Sequence, residues 1–204
     1  MKSICGSAFL AILTFAGNVA AADPSPARFS ITPFAGYRAG GSFTDSTTGE
    51  ERKLDEAQNY GVVLDFNTTP DTEVELLWSS QRSEIDLGAS SSPLSLRVDY
   101  LHIGGTYLFA REGVRPFFVA TIGATRFDPS AEGYDTETKF SFGMGGGVRV
   151  PLARHFGLRF EARAYGTVLS NDSESLCVNG RCLVNADGTL LWQYEANAGV
   201  YLAF

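Results

Sequence analysis

The chain has 204 residues, a formal net charge of -7, and 19% charged against 44% hydrophobic residues. That length suits one domain, and the acidic balance excludes a nucleic-acid partner, which needs a basic surface. Mean hydropathy is -0.02 and no apolar run after the first twenty residues is long enough for a membrane helix, yet alternating membrane strands average to such a value.

The N-terminus reads as a secretory signal peptide, residues 1–22. Lys2 gives the positive start, Ile4 to Ala16 is the apolar stretch, and Ala20-Ala21-Ala22 offers small residues for cleavage. The cut is expected after Ala22, with Ala21 as the rival site. Cys5 leaves with the signal. The mature chain, residues 23–204, is expected to be one domain.

Its first strand runs from Phe29 to Tyr37, where Phe29, Ile31, Pro33, Ala35 and Tyr37 alternate with Ser30, Thr32, Phe34 and Gly36. Pro33 removes a ladder donor, and Phe34 breaks the pattern. Ala39 to Gln58 reads as a polar loop. In the second strand Tyr60, Val62, Leu64 and Phe66 oppose Gly61, Val63, Asp65 and Asn67; the turn Thr68-Thr69-Pro70-Asp71 follows. The third sets Val74, Leu76 and Trp78 against Glu73, Glu75, Leu77 and Ser79, and a loop runs from Ile85 to Ser95. The fourth spans Leu96 to Phe109, with Leu101, Ile103 and Tyr107 opposite Tyr100, His102 and Thr106. After a turn at Ala110–Gly113, the fifth covers about Arg115 to Phe127, and its two faces do not separate. An acidic loop, Asp128 to Thr138, leads to the sixth, where Phe140, Phe142, Met144, Val148 and Val150 oppose glycines and Arg149. A turn at Pro151–His155 precedes the seventh, where Phe156, Leu158 and Phe160 oppose Arg159, Glu161, Arg163 and Tyr165. The loop Leu169–Thr189 holds Cys177 and Cys182 around Asn179-Gly180.

The last strand, Trp192 to Phe204, is the clearest. Trp192, Tyr194, Ala196, Ala198, Val200, Leu202 and Phe204 form an apolar stripe with aromatics at both ends, against Gln193, Glu195, Asn197, Gly199, Tyr201 and Ala203. An isolated strand of this kind also suits a soluble sandwich. Long polar loops follow strands one, three, five and seven, and short turns follow two, four and six. That alternation is expected of an all-β, eight-stranded antiparallel up-and-down transmembrane β-barrel with both ends in the periplasm. Strands one and eight then close the sheet.

Signal, strand count, loop alternation and terminal Phe204 together resemble the OmpA/OmpX-type outer-membrane β-barrel family. The resemblance covers residues 23–204 but is architectural, so it implies fold and location better than activity. It implies that Phe204 is an assembly signal read by the barrel-insertion machinery, and that the protein lies in the bacterial outer membrane. The periplasmic peptidoglycan-binding domain of longer members has no counterpart here. The expected role is structural or surface-interacting, with outer-membrane lipid, lipopolysaccharide or a surface ligand at the loops as partners. A narrow solute pore and an adhesin-like barrel are the alternatives.

No catalytic residue, metal or cofactor is expected. Gly143-Met144-Gly145-Gly146-Gly147 lacks the Lys-Ser or Lys-Thr of a phosphate loop and suits a curved strand. Barrels with acyl-transfer activity pair a histidine with a serine or carboxylate near the outer surface. His102 falls mid-strand without a serine two residues on, and His155 sits in a turn. Asp128, Glu132, Asp135 and Glu137 lack a calcium-loop spacing. Cys177 and Cys182 are expected to form a disulfide in an oxidising compartment. The inward faces carry Asp65, Glu75, Glu161 and Glu195 with Arg149, Arg159 and Arg163, and Arg38 is a further candidate. These nearly balanced charges predict a closed polar plug, with Glu195 paired to Arg159 or Arg163.

Overall fold

Two-residue periodicity gives each strand two faces, and in the computed structural model those faces become the wall and the filling of a barrel. The structure describes residues 28–44, 51–53, 56–85, 94–130, 136–169, 177–178, 181–182 and 190–204. The proposed signal peptide therefore lies outside the described residues.

Eight long strands form the barrel: Phe29–Gly40, Ala57–Asn67, Thr72–Ile85, Leu94–Leu108, Arg115–Pro129, Glu137–Pro151, Phe156–Val168 and Leu190–Ala203. They are called the first to eighth strands below. Each pairs antiparallel with its neighbours in sequence, and the first pairs with the eighth, so the sheet is closed. Closure removes every strand edge. Each strand has the length that a tilted membrane strand needs.

Several strand limits differ from the sequence reading. The first strand extends to Gly40 and the second begins at Ala57; between them Ser42–Thr44 pairs with Glu51–Lys53. The third runs to Ile85, past Ser79, the last residue of its alternating pattern, and up to the start of the expected loop. Polar residues end an apolar stripe without ending a ladder, because the ladder continues beyond the hydrocarbon into water. On the fifth strand Phe117, Val119, Thr121, Thr125 and Phe127 point inward, and Phe118 and Ile122 outward. Both faces are apolar, so no alternation shows in the sequence. Pro33 is exposed on the wall. Pairing with the second strand continues through it, whereas pairing with the eighth passes from Ile31 to Phe34. The missing N–H of proline fits that gap.

The wall is apolar where the sequence stripes are apolar. Leu101, Ile103 and Ile122 are 57, 54 and 57% exposed on it. Aromatics flank them at two levels. Toward the turns Phe29 meets Phe66 and Phe204 at 5.5 and 5.8 Å; toward the loops Tyr60 meets Trp78 at 5.9 Å and Phe142 meets Trp192 at 5.6 Å. This is the double aromatic girdle of a barrel that crosses a bilayer.

The interior expected to be a polar plug holds apolar layers as well. Leu108, Phe117 and Val119 form an apolar layer toward the turns. A larger cluster, including Leu96, Val98, Phe127, Leu169 and Leu191, fills the loop end. Charged side chains occupy the space between. The fourth and fifth strands are apolar on the inward face as well, and that alternation cannot reveal.

Candidate functional site

The charged layer is built by period two. Arg159, Glu161 and Arg163 alternate with outward residues on the seventh strand, so all three project inward. Asp65 comes from the second strand, Glu73 and Glu75 from the third, and Arg149 from the sixth. Arg149 reaches Glu73 at 2.7 Å and Asp65 at 3.0 Å. Arg159 reaches Asp65 at 3.1 Å, Glu75 at 2.7 Å and Glu161 at 2.8 Å. Arg163 donates from Nη2 to Glu75 at 2.7 Å and from Nε to Glu161 at 2.6 Å. Each carboxylate except Glu73 thus serves two arginines, and forked guanidinium groups suit that sharing.

A second group sits nearer the loops. Arg38 donates from Nε and Nη2 to Glu195 at 3.0 and 2.9 Å, and also to the Ser79 hydroxyl. Glu195 further accepts from the Tyr165 hydroxyl at 2.7 Å, Asn59 at 2.9 Å and Asn197 at 2.8 Å. The Arg38 guanidinium lies 4.6 Å from the Tyr100 ring centre, and Tyr100 stacks on Tyr165 at 4.1 Å. The aromatic pair covers the cation on its apolar side.

All seven charges picked from the sequence, and Arg38, lie in the interior and are buried. The expected partner of Glu195 is corrected. Arg163 stands opposite it on the seventh strand, but Arg38 stands opposite on the first. Glu161 and Glu75 already hold the Arg163 guanidinium, so Glu195 takes Arg38. Sequence reasoning omitted Glu73, Asn59, Tyr100 and Tyr165. Glu73 carried a signal, since it shares a face with Glu75. The others depend on which strands meet across the lumen, which no local pattern encodes. Beside the network, a cavity of about 10 Å³ between Arg159, Glu161 and Arg163 and the apolar Phe34, Val63 and Leu77 has room for about one water.

The remaining candidates separate. His102 is bonded through Nε2 to the Ser141 hydroxyl at 2.8 Å and through Nδ1 to Thr121 at 3.0 Å. The serine that the sequence lacked nearby comes from the sixth strand. Both residues are buried, 1 and 0% exposed, so a substrate has no access to them in this conformation. His155 meets the Ala203 carbonyl at 3.2 Å in the last turn. Asp128 accepts from Thr136, and Glu137 pairs with Lys139, while Glu132 and Asp135 lie outside the described residues. In the glycine run, a Cβ at Gly147 would meet the Phe160 carbonyl and the Phe117 ring, and one at Gly143 the Tyr165 ring. These glycines make room for large interior side chains. Cys177 stands opposite Cys182 in a two-stranded pair; their side chains are outside what is described. Phe204 joins the closing seam: its carbonyl accepts from Arg28 N–H at 2.8 Å, and its N–H donates to Phe29 at 2.9 Å.

Comparison with known proteins agrees with this architecture. The family model described as "Outer membrane protein beta-barrel domain" matches residues 7–204. Among solved structures, Neisserial surface protein A aligns with a TM-score of 0.60 at 14% identity, over 86% of this chain and 97% of that one. OprG from Pseudomonas aeruginosa aligns with a TM-score of 0.51 at 12% identity, over 86 and 92%. The attachment invasion locus protein Ail of Yersinia pestis aligns with a TM-score of 0.50 at 13% identity, over 87 and 99%. No curated protein matches the chain in sequence.

Proposed function

The chain belongs to the outer membrane protein beta-barrel domain family, and from that premise we propose that it acts as a closed barrel with a structural or surface-contact role. A solute pore needs a continuous wet bore. The observation that carries the reading is the interior ion-pair network, in which five carboxylates (Asp65, Glu73, Glu75, Glu161, Glu195) and four arginines (Arg38, Arg149, Arg159, Arg163) are buried. Charges paired across the lumen and the apolar layers around them fill the interior, as an eight-stranded barrel permits. The buried His102–Ser141 contact is read as a structural hydrogen bond, and no catalytic role is assigned.

The partners in this reading are outer-membrane lipid and lipopolysaccharide on the wall, a ligand at the loops, and the insertion machinery at Phe204. The exported chain is cleaved after Ala22, and the opposed Cys177 and Cys182 are bonded. Intact-mass analysis of membrane-extracted protein checks both: a chain starting at Asp23 and two hydrogens lighter is expected, whereas retained Met1 or two free thiols overturns the respective point.

Swelling of proteoliposomes in small sugars tests the closed barrel. Wild-type vesicles are expected to swell no faster than protein-free ones. Rapid swelling favours the solute pore instead.

A further inference from the structure

A cluster of arginines without an ion pair among the described residues lies on the outer wall, at the loop end. Along the fourth strand the outward residues run Tyr107, Ile103, Leu101, then Asp99 and Arg97, so the wall turns from apolar to charged just beyond Leu101. On the third strand Arg82 follows Trp78, and on the fifth Arg126 follows Ile122 and Ala124. Three adjacent strands thus place Arg82, Arg97 and Arg126 just above the apolar band. Arg82 and Arg126 are exposed and Arg97 half-buried.

Their register is unusual. Arg82 stands directly opposite Arg97, and like charges directly across a ladder repel. On its other side Arg97 faces Asp128, but Asp128 accepts from Thr136 at 2.9 Å. Arg126 faces Asp99. Among the described residues none of the three arginines makes an ion pair. Two arginines directly opposite each other at headgroup height fit an anion with several oxygens, because each fork can donate twice to a phosphate.

We propose that Arg82 and Arg97, with Arg126 beside them, bind a phosphate group of a phosphorylated glycolipid of the outer leaflet. The proposal rests on the outer-membrane reading above and names the site through which the wall contacts its lipid. The phosphate relieves the repulsion between Arg82 and Arg97, and the acyl chains of the same lipid cover the Leu101 and Ile122 surface below. One ligand therefore satisfies both the charged and the apolar parts of this wall.

The test uses the full-length protein inserted in phosphatidylcholine vesicles, with thermal unfolding read from heat-modifiable gel mobility. Three probes are titrated: bisphosphorylated lipid A, dephosphorylated lipid A and inorganic phosphate. Bisphosphorylated lipid A is expected to raise the unfolding temperature, and the other two are not. In R82Q/R97Q half-saturation should need about tenfold more lipid or worse, the loss expected from removing charge-assisted hydrogen bonds. R82E puts an opposite charge across from Arg97, so it should unfold at a higher temperature without lipid A and no longer respond to it. An unchanged response in R82Q/R97Q, or an equal response to dephosphorylated lipid A or inorganic phosphate, overturns the proposal. If the wild type stays inserted and heat-modifiable yet responds to none of the probes, the phosphate site falls and the closed-barrel reading stands.

Discussion

At the scale of single residues, Glu195 shows what the interior demands. It accepts from Arg38, Tyr165, Asn59 and Asn197, and Arg38 is fully buried. Removing one partner of a buried pair leaves a charge without compensation, at a cost of roughly 3–5 kcal/mol. Glu195→Gln is therefore expected to lower folding stability by about 3 kcal/mol in urea refolding titrations. Replacing both partners, Arg38→Met with Glu195→Gln, should recover much of that loss, since an apolar substitute leaves no charge stranded. A double variant as unstable as the single would mean that the pair is not coupled. The charges themselves were legible, because alternation on the seventh strand puts Arg159, Glu161 and Arg163 on one face. The partner of Glu195 was not legible. Its choice between Arg38 and Arg163 is settled by side chains from strands that lie far apart in sequence and meet only across the lumen.

At the scale of elements, the turns and the wall make separate predictions. The first two short turns are clasped by Arg111, which donates to both Asp71 oxygens at 2.8 and 2.6 Å. That hydrogen bonding holds the Asp71 carboxyl below its ordinary value. A carboxyl depressed on folding stabilises above its unfolded value, and the contribution is lost as pH falls through the depressed folded value. The clasp should therefore open only below the usual aspartate range. In Arg111→Gln the Asp71 resonance should titrate at an ordinary carboxylate pH by NMR, with little change in global stability because the pair is exposed. Val200 belongs to the wall, 43% exposed on the apolar stripe of the eighth strand. Val200→Arg is expected to cost about 2–4 kcal/mol in refolding titrations, with the upper end only if the site lies near mid-bilayer. Val200→Leu should stay within about 1 kcal/mol, since lipid accommodates volume. No difference between the two would mean that this face does not meet lipid. The two faces of the eighth strand could be read from Trp192 onward because its stripe is apolar on one face alone, although the strand begins at Leu190. The fifth could not, because Phe117 and Phe118 both find apolar surroundings, one in the interior and one in the wall. The Ser42–Thr44 and Glu51–Lys53 pair was also hidden, since polar ladders above a membrane carry no hydrophobic period.

At the scale of the whole molecule, closure and filling are linked. Strand count and loop alternation point to a barrel whose ends meet, and the seam between Phe29 and Phe204 joins them. A barrel of eight strands has an interior that side chains can fill, and here the filling is layered: apolar, charged, apolar. The layering was legible only in part. Charges announce themselves in a strand, whereas interior Leu96, Val98 and Phe127 look like any other strand residues. The charged layer is rigid because each arginine is held by carboxylates from other strands, so opening a bore would require several buried ions to part together. Single-channel recording of the refolded protein in a planar bilayer tests this most directly. Wild-type protein is expected to show no steady conductance, with at most brief, small flickers. A large, steady, ohmic conductance from the wild type would contradict a barrel closed by its own ion pairs.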